Sequence, residues 1–194
     1  MSVFRCQVSA LQILTPDTRH LKPENRNLMD YEFFMQKALD EAQIALAAGE
    51  FPVGCVMVHD KKILVSGARK GTSGDYPNEV DHAELVALRR LFNLDAKVNM
   101  REVTVFSTLE PCLMCFGALM ISGIGTLVFA HEDPMGGGTQ CDAAKLTPLY
   151  QSNQMAIIPG ILRNESLKLL KAFFSEPENT YLKDSLLATY TLGQ

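Results

Sequence analysis

Residues 103–130 read VTVFSTLEPCLMCFGALMISGIGTLVFA. Two short runs rich in apolar and β-branched residues, Val103 to Ser107 and Thr126 to Ala130, flank a segment that opens on Pro111 and continues to Ser122. Runs of that length suit buried strands, and proline in the first turn of a helix gives up an N–H that has no intrahelical partner anyway. The stretch therefore predicts strand, helix, strand, which is the unit of a sheet with parallel pairs.

Outward from this unit the pattern continues. Asp30 is the expected N-cap of a helix through Ala48, stopped by Gly49, with Phe34, Ala38, Ala42 and Ala45 on its buried stripe. Val53 to His59 and Ile63 to Ser66 read as a hairpin around Asp60, Lys61 and Lys62. A polar loop, residues 70–81, leads to a helix from His82 to Phe92. Beyond Ala130, a strand from Met155 to Ile158 follows a connection of about 24 residues that contains a short helix near Ala143 to Tyr150. That length suits a parallel crossover and not a hairpin. A last helix, Asn164 to Phe174, has Leu167, Leu170 and Phe174 on one face.

The expected organisation is an N-terminal extension over 1–28, one domain over 29–174 and a C-terminal tail over 175–194. In the extension, Phe4, Cys6, Val8 and Ala10 alternate with polar residues, which leaves an edge strand and a tethered arm both open. The tail SEPENTYLKDSLLATYTLGQ reads either as a packed helix or as a lid that brings Tyr181 and Asp184 to a pocket.

With 194 residues, 47% hydrophobic and 21% charged, the chain suits one ordinary domain. Its 18 Lys and Arg against 22 Asp and Glu argue against a strongly electrostatic polyanion-binding surface. No apolar run approaches the roughly 20 residues that cross a bilayer, and Arg5, Gln7 and Gln12 interrupt the N-terminal apolar residues, so a cytoplasmic protein without a membrane span is expected. An odd number of cysteines, five, argues against a disulfide framework and for a metal site or isolated thiols.

Two of those cysteines, Cys112 and Cys115, stand at i and i+3 at the start of a helix, on one side of its first turn, where the dipole favours thiolates. Alone, C-x-x-C fits a redox pair as well as a metal. His82 adds an imidazole; two thiolates and one imidazole suit Zn²⁺ and leave a fourth tetrahedral position for water, as catalytic sites require. His20, His59, His131, Cys6, Cys55 and Cys141 are further ligands by type, but none stands at ligand spacing. A zinc held by two thiolates and a neutral imidazole is formally neutral, so its pull on a bound water's proton is weakened and a nearby base becomes useful. Glu84, two residues after His82, is the candidate catalytic base; a plain helix-dipole partner is the alternative for a glutamate at this position.

His82-Ala83-Glu84 with Pro111-Cys112-Leu113-Met114-Cys115 matches the H-x-E and P-C-x-x-C signature of zinc base deaminases. Together with Ser107 to Cys112, Phe51-Pro52-Val53-Gly54, Ile121 to Phe129, Gly160-Ile161-Leu162 and Phe173-Phe174, the chain from about residue 30 to 174 resembles the cytidine/deoxycytidylate deaminase superfamily, in particular bacterial tRNA adenosine deaminases and guanine deaminase-like proteins. The resemblance implies an α/β fold, three-layer α/β/α, with a five-stranded mixed sheet and a homodimer. It implies that His82, Cys112 and Cys115 hold Zn²⁺, with zinc-hydroxide attack on a C–NH₂ carbon, Glu84 as proton shuttle and release of ammonia. It also implies substrate contacts at Val53, Arg69, Ala83, Leu109, Asp133 and Phe174.

Two departures bear on substrate. The family's usual asparagine in a Gly-x-Asn setting falls at Arg69, which donates only and carries a permanent charge. If Arg69 enters the pocket it suits a substrate with two acceptors or an anionic group; the alternative is that it points outward and pairs with Asp75, Glu79 or Asp81. The paired phenylalanines are followed by Ser175-Glu176-Pro177-Glu178 and not by a basic end. The leading expectation is therefore deamination of a small heterocyclic amine, a purine-like free base or nucleoside. Wobble adenosine deamination in tRNA is less favoured, and a catalytically dead zinc-stabilised scaffold is the remote alternative.

Overall fold

The structure, a computed structural model, describes residues 30–73, 76–95, 97–152 and 155–194; the expectations for residues 1–28 lie outside these. Five strands form one mixed sheet in the order β2-β1-β3-β4-β5: β1 Gly54–His59, β2 Lys62–Ala68, β3 Thr104–Leu109, β4 Thr126–His131 and β5 Ala156–Pro159. β1 pairs antiparallel with both β2 and β3, whereas β3, β4 and β5 run parallel. The helices are α1 Tyr31–Ala47, α2 Ala83–Phe92, α3 Leu113–Ile121, α4 Pro148–Gln151, α5 Arg163–Phe174 and α6 Leu186–Leu192.

The period-2 alternation of the strands divides the core. Cys55, Met57, Val105 and Leu127 face one cluster with Ala87, Leu91 and Leu119 of α2 and α3. Val56, Val58, Phe106 and Val128 face another with Phe34, Met35, Ala38 and Leu39 of α1, and with Leu169 of α5. Sheet and helices thus form the expected three layers. Asp30 caps α1 by accepting from the Phe33 N–H at 2.9 Å, and Gly49 follows the helix at φ +75°, where a side chain would be strained. Asp60 and Lys61, both at positive φ, make the tight turn of the β1–β2 hairpin.

Two expectations shift. Cys112, the residue after Pro111, is the N-cap of α3, so Pro111 precedes the helix and does not occupy its first turn. On α5 the buried positions are Ser166, Leu170 and Phe173, not Leu167 and Phe174. Ser166 tolerates burial because its hydroxyl donates to the Thr108 carbonyl at 2.6 Å. The short helix expected near 143–150 is a 3₁₀ turn, Ala143–Lys145, followed by α4.

The tail is a packed element: Leu187 joins the core cluster, and Tyr190 of α6 donates to Glu132, which also pairs with Arg163 of α5. Beside this clasp His131 is wholly buried, its ring 5.9 Å from that of Tyr190, with neither ring nitrogen hydrogen-bonded among the described residues. Burial holds its pKa down to about 4 from the ordinary 6.5. A histidine kept neutral by the fold contributes stability above the unfolded pKa, and that contribution is lost as pH falls toward the folded value. Acidification from 6.5 to 4 should therefore cost up to about 3 kcal/mol through this residue. Denaturant midpoints measured across that window should flatten in His131→Leu; an unchanged slope would refute the assignment.

No helix among the described residues is long and apolar enough to cross a membrane.

Candidate active site

Two helix N-termini converge on one side of the sheet. Gly67 of β2 lets α2 start close by: a Cβ there would stand 2.3 Å from the Ala83 carbonyl oxygen, so any larger residue would push the helix outward. His82 caps α2 and Cys112 caps α3, which places Cys115 at the end of the first α3 turn. The His82 Nδ1 lies 3.5 Å from the Cys112 Sγ, and the ligand atoms of His82, Cys112 and Cys115 all lie within 4.8 Å of one another. Among the described residues no other group of three potential ligands gathers in this way; His59 instead pairs with Glu102, and Cys55 and His131 are core residues.

Two sulfurs and an imidazole nitrogen, held at two helix N-termini, form a donor set that fits Zn²⁺ and leaves a coordination position for water. The Cys112 thiol is brought down to about 4, chiefly by the hydrogen bond from Cys115, with burial opposing and His82 assisting. Cys115, bonded to Cys112 and buried, is pushed up, and His82 is raised by its bond to Cys112. Binding a metal to such a set releases protons.

Glu84 sits in the first turn of α2 with 3% of its surface exposed. Burial raises its pKa, opposed by its own backbone N–H and by His82, while the Ser107 hydroxyl donates to Oε1 at 3.0 Å. A carboxylate in that setting accepts a proton more readily than one in water.

A cavity of about 170 Å³ opens on these groups. Val53, Arg69, Ala83, Leu109 and Asp133, the residues expected to contact substrate, line it, with Phe51, Glu79, Glu110, Tyr181, Leu182 and Leu187 among the other wall residues. Phe174 does not: its ring packs on Phe51 and Phe173 behind the wall, 5.8 and 5.6 Å away between centroids. Asp184 is likewise absent from the lining, whereas Tyr181 reaches it, so the tail is at once a packed segment and part of the cavity wall.

For Arg69 the two expectations merge. The residue is 3% exposed and lines the cavity, yet it pairs with Glu79 at 3.3 Å. Asp81 is engaged by Arg89 and Asn78, and Asp75 lies outside the described residues. The Asp133 carboxylate accepts from the N–H groups of Met135 and Gly136 at 2.9 and 3.0 Å, shaping the glycine turn as it faces the cavity.

Glu110 is the residue the sequence argument passed over. Buried at 4% exposure, it accepts from the Asp133 N–H at 3.1 Å and from the Thr139 N–H at 3.2 Å, pinning the 133–139 loop against Cys112. Gly137 bridges Cys112, and a Cβ on it would lie 2.5 Å from the Glu110 carboxylate. The signal was an acidic residue immediately before Pro-Cys, with a glycine run downstream to receive it.

The family profile of the cytidine and deoxycytidylate deaminase zinc-binding region matches residues 29–131. A tRNA-specific adenosine deaminase of Rickettsia typhi is 30% identical over 148 residues, covering 75% of this chain and 99% of the relative. A structure from work on A-to-I editing by tRNA:A34 deaminases at the wobble position of transfer RNA superposes with a TM-score of 0.58 at 26% identity, over 71% of this chain and 99% of that one. Guanine deaminase from Nitrosomonas europaea shares the fold, with a TM-score of 0.57 at 20% identity over 75% of this chain and 85% of that one. The profile spans more than half of the chain and includes both helix N-termini and the whole ligand cluster. The chain therefore belongs to the cytidine and deoxycytidylate deaminase family and is a zinc-dependent hydrolytic deaminase.

Proposed function

We propose that this protein deaminates a small amino-substituted heterocycle, a purine-like base or nucleoside, with His82, Cys112 and Cys115 as zinc ligands and Glu84 as proton carrier. The observation that carries the reading is the buried Glu84 carboxylate beside the ligand cluster, facing a small cavity with apolar walls from Phe51, Val53 and Leu109. When bound, zinc supplies a Lewis acid that lowers the pKa of water. Glu84 accepts a proton from the attacking water and returns it to the departing amino nitrogen. Water's oxygen becomes a carbonyl as its second proton passes to the amidine's ring nitrogen, the C–N bond breaks and ammonia leaves. Ser107, donating to Oε1, orients the carboxylate, and the apolar walls suit a planar ring.

Deamination of tRNA wobble adenosine is the second reading, favoured by the names of the relatives. Against it stand the acidic character of residues 175–178 and the closure of the cavity by Tyr181, Leu182 and Leu187. Zinc-loaded protein assayed for ammonia release should turn over at least one of guanine, adenine, cytosine or their nucleosides. Inosine formation in tRNA with no turnover of any small heterocycle would overturn the preference.

The assembly we infer is a homodimer. Leu113 and Ile121, 61% and 58% exposed, together with Met114 give α3 an apolar outer face that begins at the metal site. Cytoplasmic action remains our inference from the composition.

A further inference from the structure

Resting on the deaminase reading, the side chains around Arg69 indicate which heterocycle enters. We propose that Glu79 reads an N–H of a free, unphosphorylated base and that Arg69 is a positioning residue, not an anion receptor.

A guanidinium has five N–H donors. Arg69 commits four of them: Nη1 donates to the carbonyls of Lys70 and Asn78 at 2.8 and 2.6 Å, and Nη2 to Glu79 Oε2 and the Tyr181 hydroxyl at 3.3 and 3.2 Å. A carboxylate or phosphate is gripped by two parallel donors of the fork. Arg69, its side chain 2% exposed and its guanidinium 5.9 Å from the centroid of the Tyr181 ring, offers no such pair without breaking buried bonds. The donors with which Arg69 would grip an anionic substrate are thereby committed.

The cluster also brings a carboxylate acceptor to the cavity wall. Both hydrogen bonds of Glu79, from Arg69 and from Tyr181 at 2.9 Å, fall on Oε2, while Oε1 has no partner among the described residues. The Glu79 side chain is 61% exposed and lines the cavity. An ionised carboxylate only accepts hydrogen bonds, so its complement is an N–H donor, and a phosphate beside it is repelled. The volume of about 170 Å³ is below the roughly 300–1,000 Å³ of drug-sized pockets and suits one planar ring system. In a free base, the ring nitrogen that a glycosidic bond would occupy carries such an N–H; a nucleoside has lost it and a nucleotide adds the phosphate.

The test is calorimetric titration of zinc-loaded, full-length Glu84→Gln protein, which separates binding from turnover, with adenine, guanine and cytosine, their nucleosides and their 5′-monophosphates. At least one base should bind about tenfold or more tighter than its nucleoside and its monophosphate, as expected for a hydrogen bond to a charged acceptor. Adding Glu79→Gln should collapse that preference with zinc content unchanged and the fold retained by circular dichroism. If Glu79→Gln fails to fold, Glu79→Asp, with the carboxylate one methylene further back, must weaken the preference instead. Equal or tighter binding of monophosphates, a preference that survives at Glu79, or binding of no compound overturns the proposal. Selective binding with no ammonia release by the wild type overturns the deamination reading and supports the specificity assignment.

Discussion

Glu84→Gln is expected to lower the rate of ammonia release by about 10²- to 10⁴-fold while zinc content stays at the wild-type level. Glutamine keeps the shape of the side chain and can still accept from the Ser107 hydroxyl, so the first turn of α2 and its His82 cap need not move. What is lost is the capacity to take a proton from water and return it to the leaving nitrogen. The pH profile supplies an independent readout. The ionised base is depleted as pH falls, so kcat/KM should show an acid limb that disappears in the variant. Metal analysis alongside a coupled ammonia assay checks both parts. Wild-type turnover in Glu84→Gln would leave the residue as no more than a helix-dipole partner, and zinc loss would make it structural.

The second large effect is expected at Cys115. Cys115→Ala should abolish zinc retention and activity together, because two protein donors remain where tetrahedral zinc needs three and an open position. Cys115 itself is fully buried, so no solvent-exposed side chain stands ready to take its place. Cys141→Ala, which alters a thiol outside the cluster, should retain metal at wild-type stoichiometry. Full zinc in Cys115→Ala, measured by elemental analysis after gel filtration, would reject the ligand set.

The sheet was legible because its signals are local. Val105 and Phe106, or Leu127 and Val128, point to opposite core clusters simply by being neighbours on a strand, and short apolar runs with a proline between them announce the crossover. The ligand cluster was legible because its spacing encodes one helix turn and its chemistry is selective. The exact start of α3 was not, since proline fits just before a helix as well as in its first turn, and the capping residue is the ligand itself. Hydropathy could not mark Ser166 as buried, because its partner is a carbonyl 58 positions away. The surroundings of Arg69 were out of reach for the same reason: its Tyr181 partner is 112 residues distant, and the sequence does not show which donors of a charged group are already engaged. Glu110 looked like a motif letter until the loop it pins was in view.

His82 and Cys112 lie 30 positions apart and cap different helices, one before and one after β3 in the chain. A metal that joins them is therefore also a cross-link: it closes a loop of the unfolded chain and removes conformational entropy that folding would otherwise have to overcome, much as a disulfide does. Catalytic competence and mechanical integrity of this face thus share one bond set, and a chelator that silences the reaction also releases the staple between two helices.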